Sequence, residues 1–377
     1  MSITNLIRPE IAGLEPYTPI LPLDVLAARL GIPIERLVKL DANENPYGPS
    51  PRTAQALADL ATTDGPTGRL SIAIYTDPNQ TRLRTALSGY VGQPVERILC
   101  GAGADELIDL VLRLFLSPGD AVIDCPPTFG MYSFDTGVNG GRVIRVPRRA
   151  DFSLDIPAIE VAAAVSRAKV LFLTSPNNPT GNLTPPDEIE RLLRLPLLVV
   201  VDEAYMEFVD PDGDASVIPW VSQHENLAVL RTFSKWAGLA GMRIGYGIFP
   251  DWMITQLWKI KQPYNLSLGA EITAIAALDD LDYLRANVAR IVAERSRLLA
   301  HLSNLPFLVP YPSESNFILC RVTRGNAHEL KLALERMGVL VRYYNTPLLR
   351  DYIRISVGTP AQTNVVIAAL QHASTGI

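Results

Sequence analysis

Lys235 lies in the run RTFSKWAGLAGMRIG (Arg231–Gly245), with hydroxyls three and one residues before it, Thr232 and Ser234, and an arginine eight residues after it, Arg243. An amine in this setting has two readings. It is a lysine that merely opens a helix, or one that forms a Schiff base with a carbonyl compound whose phosphate is held by the neighbouring hydroxyls and guanidinium.

Three more groups follow apolar runs. Asp202 comes directly after Leu197–Val201, where a carboxylate is costly to bury unless a cation or donors compensate it. A protonated pyridine nitrogen would compensate it, each unit of pKa shift being worth about 1.4 kcal/mol; a capping or ion-paired aspartate is the alternative. Tyr205, three residues on, carries a hydroxyl that either reaches the same ligand or belongs to a core tyrosine. In SPNNPTG (Ser175–Gly181) prolines fix a turn around two asparagines, leaving an amide pre-aimed. GAGADE (Gly101–Glu106) has Glu106 where a dinucleotide fingerprint needs glycine. It still opens a helix with free N–H groups suited to a phosphate, or it is a plain tight turn.

The elements around these groups alternate. Helical patterns at 51–61 and 79–91 precede strand ERILC and helix ADELIDLVLRLFL, then strand DAVIDC, helix FGMYSFDTG and strand GRVIRVP. A helix at 155–166, strand KVLFLTS, a helix after Pro185 and strands LPLLVVVDEAY and NLAVLRTF follow. VLFLTS and LLVVVD are apolar on both faces, as central strands covered by helices must be, and the alternation predicts a mostly parallel sheet. Ligands bind such sheets beyond the carboxyl ends of the strands, where all four phrases stand.

After Tyr264 the pattern becomes long helices over about 267–305, then strand NFILCRV, helix AHELKLALERMG, strands VLVRYY and YIRISVG, and a helix from Pro360. We read a large α/β domain over 45–275 and a small α+β domain over 276–377, joined by the N-terminal segment 1–44. Within that segment Leu23–Leu30 is a helical pattern, and LVKLDANENPYGPSP is too rich in turn formers for regular structure.

With 377 residues, 48% of them hydrophobic and 19% charged, the chain can bury cores for two domains. A net charge of −5 gives no electrostatic footprint for nucleic acid or an acidic membrane surface. Three scattered cysteines, Cys100, Cys125 and Cys320, argue against a disulfide framework or thiolate zinc. His224-Glu225 and His328-Glu329 are followed by Ala228 and Leu332 where a metalloprotease helix needs its second histidine, so no metal is expected. The N-terminus shows no secretory pattern and no run reaches transmembrane length, so a cytoplasmic protein is expected.

Read together and in order, SPNNPTG, VVDEAY and RTFSKWAGLAGMRIG resemble the pyridoxal-phosphate aminotransferases of fold type I. The likeness runs on through LDANENPYGPSP, CPPTFGMY, QPYN, SNFILC and RISVGTP, nearly the whole chain, and within that superfamily is greatest to the histidinol-phosphate aminotransferases. It implies a seven-stranded, mostly parallel mixed sheet between helices, with pyridoxal 5'-phosphate as cofactor. Lys235, Asp202 and Tyr205 would be the catalytic set: the amine that carries the cofactor, the partner of its ring nitrogen and, with Asn178, a donor to its ring hydroxyl oxygen. Phe129 would stack on the ring, where members of the family often carry tyrosine. The cofactor phosphate would lie against the N–H groups of Ala104 and Asp105, the side chains of Thr232, Ser234 and Arg243, and Tyr75 of a second subunit.

On the substrate side, Arg354 in YIRIS matches the arginine that takes the α-carboxylate of a 2-oxo acid, by resemblance 2-oxoglutarate. Tyr17, Arg342 and, across a homodimer interface, Tyr264 match residues around the phosphate of the amino donor, L-histidinol phosphate, and Asn43 lies near the amino-acid substrate. Lys235 would move a proton as base and acid, and turnover would be ping-pong. Three rivals remain open: an aromatic amino-acid aminotransferase, a threonine-phosphate decarboxylase, and a regulatory module without turnover. Arg342 weighs against the first, and the absence of a helix-turn-helix or basic cluster in the first forty residues weighs against the last.

Overall fold

The computed structural model describes residues 2–16, 21–65, 67–209 and 215–374. Among the described residues twelve strands are formed: β1 (Val38–Leu40), β2 (Ile98–Gly101), β3 (Ala121–Asp124), β4 (Arg142–Arg145), β5 (Val170–Thr174), β6 (Leu198–Asp202), β7 (Leu227–Thr232), β8 (Gly245–Ile248), β9 (Leu308–Pro310), β10 (Phe317–Val322), β11 (Val339–Tyr343) and β12 (Tyr352–Ser356).

Seven of them make one sheet in the order β2-β8-β7-β6-β5-β3-β4. The pairs among β3, β4, β5, β6 and β7 are parallel, and β8 runs antiparallel between β7 and β2. The pleat sends alternate residues to two separate cores. Leu171, Leu173, Val199, Val201 and Val229 join one cluster, while Phe172, Leu198, Val200, Ala228 and Leu230 join the other. Helices Thr81–Val91 and Leu268–Leu278 cover the first face through Leu83, Leu87, Ala270 and Ala274. Ala104–Phe115 and Asp251–Ile260 cover the second through Ile108, Val111, Met253 and Leu257.

Parallel strands of this sheet end on one edge, which therefore collects Asp124, Thr174, Asp202 and Thr232. Because β8 is antiparallel it begins there, with Gly245 registered against both Thr232 and Gly101. All four polar phrases thus meet at the carboxyl edge of the sheet.

The second sheet has the order β1-β11-β12-β10-β9. Its first strand corrects the reading of LVKLDANENPYGPSP as wholly irregular: Val38–Leu40 pairs in parallel with Val339–Val341. A three-residue strand whose partner lies some three hundred residues away leaves no local periodicity to detect. The helix Asp251–Ile260 and the strand Leu308–Pro310 are further elements absent from the sequence reading. Among the described residues no helix is long and apolar enough to cross a membrane.

Candidate active site

One cavity of about 720 Å³ opens at the carboxyl edge of the large sheet and is also bordered by β11, β12 and the loop after β1. Ala104, Asp105, Phe129, Asn178, Asp202, Tyr205, Thr232, Ser234, Lys235 and Arg243 all line it, as do Asn43, Arg342 and Arg354. Tyr75 and Tyr264 do not. They are exposed and stacked on each other, ring centroids 4.5 Å apart. Tyr17 lies outside the described residues. A groove of about 870 Å³ elsewhere is larger, but its lysine, Lys169, is ion-paired to Asp120 at 2.6 Å, and it offers no comparable set of groups.

Asp202 terminates the fully buried strand β6. Its Oδ1 accepts from the Ala204 N–H at 3.0 Å and its Oδ2 from the Tyr132 hydroxyl at 2.7 Å. Burial raises its carboxyl to about 6, against the pull of those two donors. A buried carboxylate facing a cavity suits a ligand that presents an N–H cation there.

Lys235 stands three residues beyond the end of β7, its Nζ 3.3 Å from the Ala42 carbonyl oxygen and 5.9 Å from the Tyr205 ring centre. Burial, reinforced by the nearby Arg354 charge, lowers the amine to about 8. That brings a nucleophilic, proton-accepting form within reach of neutral pH. The Tyr205 hydroxyl accepts from Asn43 Nδ2 at 3.0 Å, and Asn43 is itself clamped by Ser356, whose Oγ lies 3.0 Å from Asn43 Oδ1. Burial pushes the Tyr205 phenol up to about 12, so it stays a donor.

Arg354 spans the two sheets. It donates from Nη1 to Asn178 Oδ1 at 2.6 Å and from Nη2 to the Asp41 carbonyl at 2.8 Å. Its Nε is buried with no acceptor among the described residues. A planar guanidinium lining a cavity suits a carboxylate.

The opposite wall is built for an anion. Gly103 caps the helix Ala104–Phe115 without a side-chain hydrogen bond, so the first N–H groups are open. Arg243 reaches across to Asp105 at 2.9 Å, passing so close to Gly103 that a Cβ there would lie 2.4 Å from Nη2. Gly245 is held equally close: a Cβ would lie 2.4 Å from the Ala104 nitrogen. Thr232 Oγ1 accepts from the Ser234 N–H at 3.1 Å, so both hydroxyls sit beside this helix start. The donor set fits pyridoxal phosphate at three points: an anion cradle, a buried carboxylate for a protonated ring nitrogen, and a lysine of lowered pKa between them.

The family model for aminotransferase class I and II matches residues 35–370. The chain belongs to the class I and II aminotransferases. As an aminotransferase it is 55% identical over 373 residues to the histidinol-phosphate aminotransferase of Roseiflexus castenholzii, covering 98% of each chain. It is 51% identical over 368 residues to the chloroplastic histidinol-phosphate aminotransferase of Nicotiana tabacum, covering 97% of this chain and 86% of that protein. The crystal structure of histidinol-phosphate aminotransferase from Sinorhizobium meliloti in complex with pyridoxal-5'-phosphate superposes with a TM-score of 0.86 at 27% identity, covering 98% of each chain.

Some residues of this aminotransferase's cavity were not singled out from sequence. Asp124 and Arg145, at the ends of β3 and β4, line it, and burial raises the Asp124 carboxyl to about 6. Tyr132, in the first turn of the helix Met131–Val138, donates to Asp202 Oδ2 at 2.7 Å; an aromatic there ordinarily packs, so no local signal set its hydroxyl apart. Arg231 is buried and ion-paired to Glu203 at 2.7 Å and Glu207 at 2.8 Å. That triad locks the end of β7 to the segment carrying Asp202 and Tyr205. Removing one member would strand a buried charge at a cost of about 3–5 kcal/mol.

Proposed function

We propose that this aminotransferase moves the amino group of L-histidinol phosphate to 2-oxoglutarate, giving imidazole acetol phosphate and glutamate in histidine biosynthesis, with pyridoxal 5'-phosphate as cofactor. The observation that carries the reading is the convergence of Lys235, Asp202, the open helix start at Ala104 and the cation Arg354 on one cavity. The identity to the Roseiflexus and Nicotiana proteins supports the choice of substrate.

When bound, the cofactor supplies an electron sink for the charge left at the substrate Cα. This chain's residues do the rest. Asp202 keeps the ring nitrogen protonated, Phe129 packs on the ring face, and Asn178 and Tyr205 donate to the ring hydroxyl oxygen. Ala104, Asp105, Thr232, Ser234 and Arg243 hold the phosphate. The Lys235 amine would take the proton from the substrate Cα and hold it for return, as base and then acid. Arg354 takes the 2-oxo acid carboxylate and Asn43 borders the substrate. Arg342, with Tyr17 and Tyr264, takes the donor phosphate.

The same reading divides the chain into a large unit over 45–275 and a small one over 276–377 with the first 44 residues; the two separate sheets support it. It makes the enzyme a cytoplasmic homodimer. The exposed Tyr75–Tyr264 stack is the pair expected to enter the neighbouring subunit's site. Sedimentation of an active monomer would contradict the dimer.

A half-reaction screen tests the substrate. L-histidinol phosphate should convert the cofactor to its aminated form faster than any aromatic amino acid, and 2-oxoglutarate should restore it. Faster conversion by phenylalanine or tyrosine, or release of carbon dioxide from threonine phosphate, would replace the assignment.

A further inference from the structure

We propose that Tyr132 is a positioning residue whose hydroxyl, oriented by Thr174, holds the Asp202 carboxylate ionised and aimed at the ring nitrogen of the cofactor. The inference rests on the reading of the cavity as a pyridoxal-phosphate site.

Tyr132 is not among the residues that line the cavity. It is wholly buried, stacked on Phe172 with centroids 4.7 Å apart and planes 5° from parallel, and edge-on to Phe129 at 5.5 Å. Its ring is therefore fixed from two sides. Among the described residues the hydroxyl emerges from this packing onto two oxygens: Asp202 Oδ2 at 2.7 Å and Thr174 Oγ1 at 2.7 Å.

The proton order of the cluster follows from its far end. Asn177 donates through Nδ2 to the Pro127 carbonyl at 3.0 Å and to Thr180 Oγ1 at 2.6 Å, so its Oδ1 is the acceptor for Thr128 Oγ1 at 2.9 Å. With the Thr128 proton committed, Thr174 donates to Tyr132 at 2.7 Å in preference to Thr128 at 3.3 Å. Tyr132, polarised by that bond, donates to Asp202. Burial keeps the phenol protonated well above its ordinary range, so this donor persists at every working pH.

Asp202 needs such a donor. Burial favours its neutral acid, which could not keep a ring nitrogen protonated, and the Tyr132 bond is the foremost influence in the opposite direction. The same ring ties Phe129, at the cofactor's face, to Asp202, at its nitrogen. Both contacts are set by one rigid side chain.

The test compares affinities of the full-length protein for pyridoxal phosphate and for 1-deazapyridoxal phosphate, in which C–H replaces the ring nitrogen, by equilibrium dialysis. Wild type should bind pyridoxal phosphate more tightly than the deaza analogue. Tyr132→Phe should lose about ten-fold in pyridoxal-phosphate affinity, the scale of one hydrogen bond to a charged group, and less than two-fold for the analogue. Thr174→Val should show a smaller loss in the same direction, and it carries the comparison alone if Tyr132→Phe does not fold. Equal losses for both ligands would mean that Tyr132 only packs, and no loss for either would mean that it does not act through Asp202; both overturn the proposal. Wild type that fails to distinguish the two ligands would instead overturn the cofactor reading on which it rests.

Discussion

The Arg354 guanidinium donates to the side-chain oxygen of Asn178 at 2.6 Å, bringing β12 of the small sheet to the loop that follows β5 of the large one. One contact thus joins the residue proposed for the 2-oxo acid carboxylate to the residue proposed for the cofactor ring. With Nη2 held by the Asp41 carbonyl, the fork has a fixed plane, and the unpaired Nε lies in that plane.

Replacing Arg354 by lysine should leave a charge but no fork. The KM for 2-oxoglutarate should rise by roughly 10- to 100-fold, the scale of a lost bidentate pair, with a smaller fall in kcat. Steady-state kinetics with 2-oxoglutarate as varied substrate measures it.

Asp202 is the clearest conflict between stability and function. Its folded-state carboxyl is raised to about 6 from an ordinary 3.8, so the ionised form destabilises the cofactor-free fold at all pH above about 6, and the effect disappears below 3.8. Asp202→Asn should therefore melt at an equal or higher temperature than wild type at pH 7 without cofactor, the difference vanishing in acid. The same variant should bind pyridoxal phosphate more weakly. Thermal melts across pH, with and without cofactor, measure both.

Lys235 titrates in the opposite sense. Its amine is lowered from 10.5 to about 8, so the cofactor-free fold gains stability as pH rises from about 8 toward 10.5. Acetylation of Lys235 in that form should reach half its maximal rate near pH 8. Peptide-resolved mass spectrometry along a pH series follows it.

Gly103→Ala should disturb the anion cradle. Gly103 has φ +81°, and a Cβ there would meet Arg243 Nη2 at 2.4 Å. With ψ 169° this is a backbone region open essentially to glycine, costing an alanine about 1–3 kcal/mol, and Arg243 must swing away from Asp105. Equilibrium dialysis should show cofactor affinity falling at least about five-fold, the scale of one lost hydrogen bond of about 1 kcal/mol.

The large sheet was readable because β5, β6 and β7 are buried on both faces and announce themselves as apolar runs. A polar residue at the end of such a run has no local reason to be there, which is why Asp202 and the SPNNPTG loop stood out. Tyr132 was hidden because an aromatic in a helix start ordinarily packs, and its hydroxyl contacts cross 42 and 70 residues of sequence. Arg231 was read as part of the lysine phrase, but its partners Glu203 and Glu207 lie in another strand's loop. Strand β1 was missed for the same reason: its partner is distant. Tyr75 and Tyr264 were singled out only through the resemblance, each as reaching a neighbouring subunit's site, and their stacking on each other within one chain was not foreseen.

The most direct measurement is reduction of the purified protein, loaded with pyridoxal phosphate, by borohydride, followed by peptide mapping. The reduced cofactor should be found on Lys235 in the peptide containing RTFSK, with loss of all activity. A cofactor recovered on any other lysine, or none retained, would contradict Lys235 as the residue around which the cavity is built.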